Sequence, residues 1–216
     1  MDNTLRGEKR TVEVVWHGHA CFEVKSAEKS VVFDPYLEVP GFATLDLEAD
    51  LVLVSHEHDD HNARERVKLS GRPIDVAVKV IDTCHDDKGG KLRGPNKIHV
   101  IDFDGIRVAH FGDLGRDLSQ DELEQLKGLD VALIPVGGFF TIDALHAAAI
   151  IRAIKPDVTV PMHYFDGVSG WDKTAGVEPF LEQFACVARH DKNRFTVGTF
   201  SDCVLVLKKA LEHTAN

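Results

Sequence analysis

The sequence has no apolar stretch long enough to cross a membrane. The longest, residues 131–142, is interrupted by one proline and two glycines, whereas a spanning helix needs roughly 18 or more apolar residues. The first residues are polar and charged, which is not typical of a secretory signal. Cysteine is scarce, with four residues and no C-x-x-C pair, which favours free thiols over a disulfide framework. These absences predict a cytoplasmic protein without a membrane span.

Basic residues and several well-known catalytic motifs are also in short supply. The chain has 25 Lys and Arg against 35 Asp and Glu, a formal net charge of −10, and an acidic surface repels phosphate backbones. Nucleic acid is therefore not an expected partner. No G-x-S-x-G nucleophile elbow occurs, and Pro95 stands where a phosphate-binding loop requires lysine. The length and the 44% hydrophobic content indicate one globular domain over residues 1–216.

Short apolar runs predict strands, and the second half of the chain adds helices. The continuous run at residues 51–54 indicates a strand buried on both faces, and residues 131–136 indicate another. Ser119 followed by Glu122 predicts a capping box at a helix start. Residues 141–154 are expected to form a helix with Asp143 in its first turn. The pattern favours an α/β architecture of two sheets with outer helices.

Histidine, in contrast, is abundant, with twelve residues in the chain. Four metal-ligand candidates follow the run at 51–54 within S-H-E-H-D-D-H-N at residues 55–62. In an extended segment His56 and His58 point the same way, so both can bind one ion. Asp60 and His61 then turn away and can hold a second ion. Nitrogen and carboxylate ligands suit zinc, manganese or iron better than calcium.

Three further candidates each follow a strand-like run: His85, Asp113 and His163. Strand ends present side chains from a rigid scaffold, so these residues can complete a two-metal site.

The order of these residues resembles the metallo-β-lactamase superfamily, and more narrowly its UlaG-like branch of metal-dependent hydrolases. The resemblance runs from residue 16 to 164 and includes W-H-G-H-A-C-F, D-P-Y, R-G-P-N, H-F-G-D-L-G and P-M-H-Y. It implies a four-layer αβ/βα sandwich with two metals at the mouth between the sheets. It also implies a ligand set: His56, His58 and His85 for one metal, Asp60, His61 and His163 for the other, and Asp113 bridging both.

Several assignments stay open. His110 is a rival of His85 for the third histidine position, but strand parity places it on the opposite face from Asp113 and favours His85. Asp34 is either a turn residue or a hydrogen-bond acceptor for a ligand imidazole. Arg93 is either a loop residue or a contact for an anionic substrate. His19 fits a turn better than a ligand role.

The predicted function is a hydrolase that uses two divalent ions, with zinc preferred and manganese or iron as alternatives. The ions share a water whose pKa falls toward neutrality, and the hydroxide attacks an ester, lactone, phosphodiester or amide of a small molecule. Asp113 and Asp60 are the predicted catalytic residues. The alternatives are a mononuclear-iron oxidoreductase resembling persulfide dioxygenases, a nuclease, and a non-enzymatic metal-binding protein. A homo-oligomer is compatible with the resemblance.

Overall fold

The computed structural model describes residues 11–210, whose strands form two large sheets and one small one. The first large sheet has the strand order β13-β1-β2-β3-β5. Its strands are β1 (Glu13–Gly18), β2 (Cys21–Lys25), β3 (Ser30–Phe33), β5 (Leu51–Leu53) and β13 (Arg194–Thr196). All neighbours are antiparallel except β3 and β5, which run parallel.

The second large sheet has seven strands in the order β12-β14-β11-β10-β9-β8-β7. They are β7 (Ala77–Cys84), β8 (Pro95–Phe103), β9 (Ile106–His110), β10 (Val131–Pro135), β11 (Val158–Met162), β12 (Val187–Arg189) and β14 (Cys203–Val206). Five neighbouring strands run parallel: β9, β10, β11, β14 and β12. At the other end of the sheet, β7 pairs antiparallel with β8, and β8 pairs antiparallel with β9. Several strands of this sheet therefore end at the same edge.

The two large sheets face each other across a shared core. Phe22 and Phe33 from the first sheet pack with Leu133 and Val160 from the second, and all four are almost fully buried. Side chains alternate between the two faces of a strand. Ala132, next to Leu133 on β10, therefore points to the opposite face of the second sheet, away from the first sheet. Each sheet thus buries one face against the other sheet.

Three helices cover the outer face of the seven-stranded sheet: α1 (Gln120–Gln125), α2 (Ala144–Ile154) and α3 (Glu178–Leu181). The Ser119 hydroxyl accepts from the Glu122 backbone N–H and the Glu122 side chain accepts in return, so the predicted capping box is present. Asp143 caps α2 by accepting from two backbone N–H groups. Within residues 11–210, no helix has both the length and the apolar character needed to cross a membrane.

The outer face of the five-stranded sheet has a thinner cover. It consists of β4 (Leu47–Ala49), β6 (Val67–Leu69) and the 3-10 turn Arg64–Arg66, and within the described range it contains no α-helix. The two facing sheets with outer elements form the α/β sandwich that the sequence predicts. One strand differs: residues 51–53 are only half-buried, because β5 is an edge strand and not a central one.

Candidate metal centre

Six polar segments meet at the mouth between the two large sheets, each next to the end of a strand. Asp34 follows β3, and the segment from Ser55 to His61 follows β5. From the second sheet, His85 follows β7, Asp113 lies just beyond β9, and His163 follows β11. The turn between β1 and β2 supplies the sixth segment.

Three histidines form one group of metal-ligand atoms: His56, His58 and His85, whose nearest ring nitrogens lie within 4.8 Å of one another. Ring centroids of His58 and His85 are 5.1 Å apart. The intervening Glu57 points outward and pairs with Asn62 and Arg64 on the surface. The backbone bends at residues 55–58 and is not the extended segment that the sequence predicts, yet His56 and His58 still reach the same group of ligand atoms.

A second group lies beside the first and contains four residues: His19, Asp60, His61 and His163, again with ligand atoms within 4.8 Å of one another. The backbone turns after His58, whose carbonyl accepts from the N–H groups of His61 and Asn62. This turn brings Asp60 and His61 to the side of His163, while the His61 ring stays beside His56, with centroids 4.3 Å apart.

The Asp113 carboxylate lies between the two groups. Its Oδ2 is 3.2 Å from Nε2 of His85 in the first group. The same oxygen is 3.2 Å from Nε2 of His61 and of His163 in the second group. Asp113 is 2% exposed, so this carboxylate is surrounded by imidazoles and not by water.

Buried packing fixes the backbone that presents Asp113. The Asn96 side-chain oxygen accepts from the Asp113 N–H at 2.9 Å, and its amide donates to the Phe111 carbonyl. Gly112 has φ +54, and a Cβ there would lie 2.4 Å from both Asn96 Oδ1 and Ser55 Cβ. Only glycine fits this close approach between the loops after β5 and β9.

Asp34 and Ser55 orient two of the histidines. Asp34 Oδ2 accepts from the Ser55 hydroxyl at 2.5 Å and from His61 Nδ1 at 2.8 Å, while Oδ1 accepts from the Ser55 N–H. Because the Ser55 hydroxyl donates to Asp34, His56 Nδ1–H is the donor in its 2.9 Å bond to Ser55 Oγ. Both rings therefore carry their proton on Nδ1 and present Nε2 to the centre.

A strained loop orients His85. Its Nδ1 lies 3.3 Å from the Phe140 carbonyl oxygen, which accepts the ring proton and leaves Nε2 facing Asp113. Phe139 and Phe140 both have positive φ, 55° and 72°, which is uncommon for residues other than glycine. Strained backbone of this kind persists where surrounding contacts hold it, and it is common at functional sites.

The pKa values of the imidazoles in the centre are shifted in opposite directions. Burial and the neighbouring His61 lower the pKa of His56 to about 3, so this ring is neutral near pH 7. Burial also lowers the pKa of His61, but Asp113 and Asp34 outweigh it and raise that pKa well above its usual range. Burial raises the pKa of Asp113, yet His163 and His61 hold it well below the ordinary value. The buried carboxylates thus favour positive charge at His61, a role that a cation bound at its Nε2 would take over.

The donor set fits a cation on its own geometry. Within residues 11–210, Nε2 of His56 and of His61 and Oδ1 of Asp113 are buried without a hydrogen-bond partner. Buried polar atoms are normally paired, because an unpaired one costs about 1–3 kcal/mol. Metal ions accept the lone pairs of nitrogen and carboxylate oxygen, so these atoms have the chemistry of ligands.

A cavity of about 820 Å³ opens above the centre. Its floor includes His58, His85, Asp113 and His163, and its walls include Phe139, Phe140, Arg93 and Trp171. The Trp171 indole N–H donates to Asp60 Oδ2 at 2.9 Å, and the Arg93 guanidinium stands 5.2 Å from the centre of the Phe140 ring. The cavity has the size of small-molecule binding sites.

His110, the open rival of His85, lies outside both groups. Its Nε2 donates to the Ala20 carbonyl at 2.8 Å, its Nδ1 accepts from the Gly112 N–H, and its ring stacks on Phe33. The sequence interpretation also gave no role to Ser55 and treated His19 as a turn residue. Only His19 carried a signal, since it lies in the H-G-H segment next to the predicted rim.

Alanine variants are expected to show that His85 is a metal ligand and that His110 is not. His85→Ala should remove one bound metal per chain, because the first group then has only two imidazoles. His110→Ala should retain the parent metal content but lose about 2–3 kcal/mol of stability, through a cavity and two broken hydrogen bonds. Metal analysis with urea unfolding measures both effects. Loss of a metal in His110→Ala, with the fold intact, would contradict this placement.

Residues 13–163 match the family model described as a beta-lactamase superfamily domain. A UPF0173 metal-dependent hydrolase of Thermococcus onnurineus is 33% identical, with 71% of this chain and 84% of the relative covered. One from Thermoplasma acidophilum is 29% identical, with coverages of 71% and 83%. A Thermotoga maritima structure, described as a proposed Zn-dependent hydrolase of the metallo-β-lactamase superfamily, aligns with TM-score 0.73 and 29% identity over 91% of this chain and 100% of its own.

Proposed function

This chain belongs to the metallo-β-lactamase superfamily, and from that premise we propose that it is a binuclear hydrolase of small-molecule esters, lactones, phosphodiesters or amides. The observation that carries the proposal is the position of Asp113, whose Oδ2 is 3.2 Å from imidazoles of both ligand groups. A carboxylate in that position suits a bridge between two cations. The names of the relatives, metal-dependent hydrolases, support the same reaction class.

The proposed ligand set divides between two cations. His56, His58 and His85 hold one, and Asp60, His61 and His163 hold the other, with Asp113 shared. Bound divalent cations supply a hydroxide at neutral pH and polarise the group under attack. The mixed nitrogen and oxygen donors suit zinc, with manganese and iron as alternatives.

The remaining residues prepare the centre and hold the substrate. Asp34 and Ser55 fix the tautomers of His61 and His56, so that the free lone pairs point inward. Asp60 would keep its orientation through the Trp171 indole. Phe140 offers an apolar wall, and Arg93 beside it is the proposed contact for an anionic part of the substrate.

Metal content and hydrolysis, measured on one preparation, test the proposal. Untagged protein purified without chelator is expected to contain two equivalents of divalent metal by elemental mass spectrometry. It should cleave at least one of a panel of aryl esters, lactones, bis-aryl phosphodiesters and anilides. Chelation should abolish that cleavage and added zinc or manganese restore it.

Other results would overturn the proposal. One equivalent of iron, with oxygen consumption on a persulfide, favours the oxidoreductase alternative. No metal retained, and none taken up on titration, removes the binuclear hydrolase altogether.

A further inference from the structure

The hairpin turn between β1 and β2 places one histidine inside the protein and not in solvent. Hairpin tips are usually exposed, but His19 at this tip is 2% exposed. The pairing of β1 with β2 shifts register between Trp16 and Gly18, which turns the tip toward the mouth of the sandwich. We propose that His19 is a further protein ligand of the cation held by Asp60, His61 and His163; this inference rests on the proposed function.

The backbone at His19 is strained and firmly held. Its φ is 49°, in the left-handed region that residues other than glycine seldom adopt. The Trp16 indole donates to the His19 carbonyl at 3.0 Å, and His110 donates to the Ala20 carbonyl at 2.8 Å. Gly18 allows the approach, since a Cβ there would lie 2.4 Å from the Phe42 ring. Several separate contacts thus maintain a costly conformation whose result is the inward direction of one imidazole.

The imidazole of His19 stands among proposed ligands. Its ring centroid is 4.2 Å from that of His163 and 5.3 Å from that of His61. Its Nε2 lies 3.5 Å from Asp60 Oδ2, and its ligand atom is within 4.8 Å of those of the other three residues.

The ring nitrogens of His19 lack the partners that a structural histidine has. Across the described part of the chain, neither Nδ1 nor Nε2 finds a hydrogen-bond partner of good geometry. His110, which is equally buried, uses both of its ring nitrogens in hydrogen bonds. His110 therefore has the hydrogen bonds of a structural histidine, whereas His19 directs a free lone pair toward a group of metal-ligand atoms.

A fifth donor makes the two proposed sites unequal. With Asp113 shared, the site of His56, His58 and His85 has four protein donors, which is the usual number for zinc. The site of Asp60, His61 and His163 has five donors once His19 is included. The second site should therefore hold its cation more tightly, and it suits cations that accept more than four ligands.

His19→Asn is the variant of choice, because asparagine tolerates the left-handed backbone better than most residues and lacks the imidazole. The readout is the protein loaded with cobalt(II), in which each coordinated imidazole N–H gives a shifted, exchangeable proton signal. We expect the variant to lose one such signal. One of its two cobalt affinities, measured by chelator competition, should fall at least about tenfold.

His17→Asn is the matched control from the same turn. His17 faces Glu23 at 3.5 Å and belongs to neither ligand group, so this variant should keep the parent signals and affinities. Circular dichroism of the metal-free His19→Asn protein shows whether it folds. If it does not, His19→Gly replaces it, because glycine adopts the same backbone freely, and added imidazole should then restore the lost signal.

An unchanged signal count with both affinities within about twofold of the parent would overturn the inference and leave His19 as a neighbour of Asp60. Failure of imidazole to restore the signal in folded His19→Gly would count against it equally. A parent protein that binds two cations but hydrolyses nothing overturns the proposed function alone.

Discussion

Asp113→Asn should release both cations and reduce hydrolysis by about 1,000-fold, which corresponds to about 4 kcal/mol of lost transition-state stabilisation. The carboxylate contacts His85 in one ligand group and His61 and His163 in the other, all at 3.2 Å. An amide keeps the shape but removes the negative charge, and its NH2 group cannot act as a ligand. A single substitution therefore affects both sites, whereas each histidine belongs to one.

Metal content, chelator competition and the rate on the best substrate measure this effect together. Asp117→Asn is the matched control, because Asp117 is only four residues away but its side chain is 74% exposed. It should behave as the parent protein does. An Asp113→Asn protein that retained two cations and the parent rate would show that Asp113 is not a bridge.

Asp34→Asn should weaken the cation bound by His61 by about 10- to 100-fold and destabilise the metal-free protein by about 2 kcal/mol. Asp34 accepts three hydrogen bonds, from the Ser55 N–H, the Ser55 hydroxyl and His61 Nδ1. Asparagine has one acceptor oxygen, so its NH2 group must face at least one of these donors. Its backbone, at φ 43°, suits asparagine well, so strain does not confuse the result.

Urea unfolding in excess chelator gives the stability change of Asp34→Asn, and competition titration gives the two affinities. Asp46→Asn on an exposed loop is the control for loss of one negative charge. Ser55→Ala should mainly weaken the cation of His56, since the hydroxyl accepts from that ring. Equal affinities in the parent and Asp34→Asn would mean that Asp34 does not orient His61.

The sequence predicts the elements with strong local signals. The Ser119 capping box depends on side chains a few residues apart, and it is present. The helix expected at 141–154 begins instead at Ala144, because Asp143 caps it and does not lie in its first turn. The prediction that the run at 51–54 is buried on both faces was wrong, because apolar composition cannot distinguish an edge strand from a central one. Its half-buried side chains follow from strand order, which only the assembled sheet determines.

The candidate centre was predictable where its residues are dense in sequence, as at His56, His58 and His61. Their convergence with His85 and His163 came from the family resemblance, since spacing alone cannot bring together residues that are far apart in the chain. Ser55 gave no signal, because one serine looks like any other before the chain folds. The inward direction of His19 depends on a register shift in a hairpin, which its sequence does not reveal.

The strand ends that meet at the centre belong to different sheets, and this has a consequence for how the molecule opens. His19 and the segment after β5 come from the first sheet, while His85, Asp113 and His163 come from the second. A cation with ligands from both sheets can bind only when the two sheets are packed together. Its binding free energy therefore adds to the free energy that holds the sheets together. Removing it should therefore loosen the sandwich first at its mouth, and hydrogen exchange should rise there before it rises in the core between the sheets.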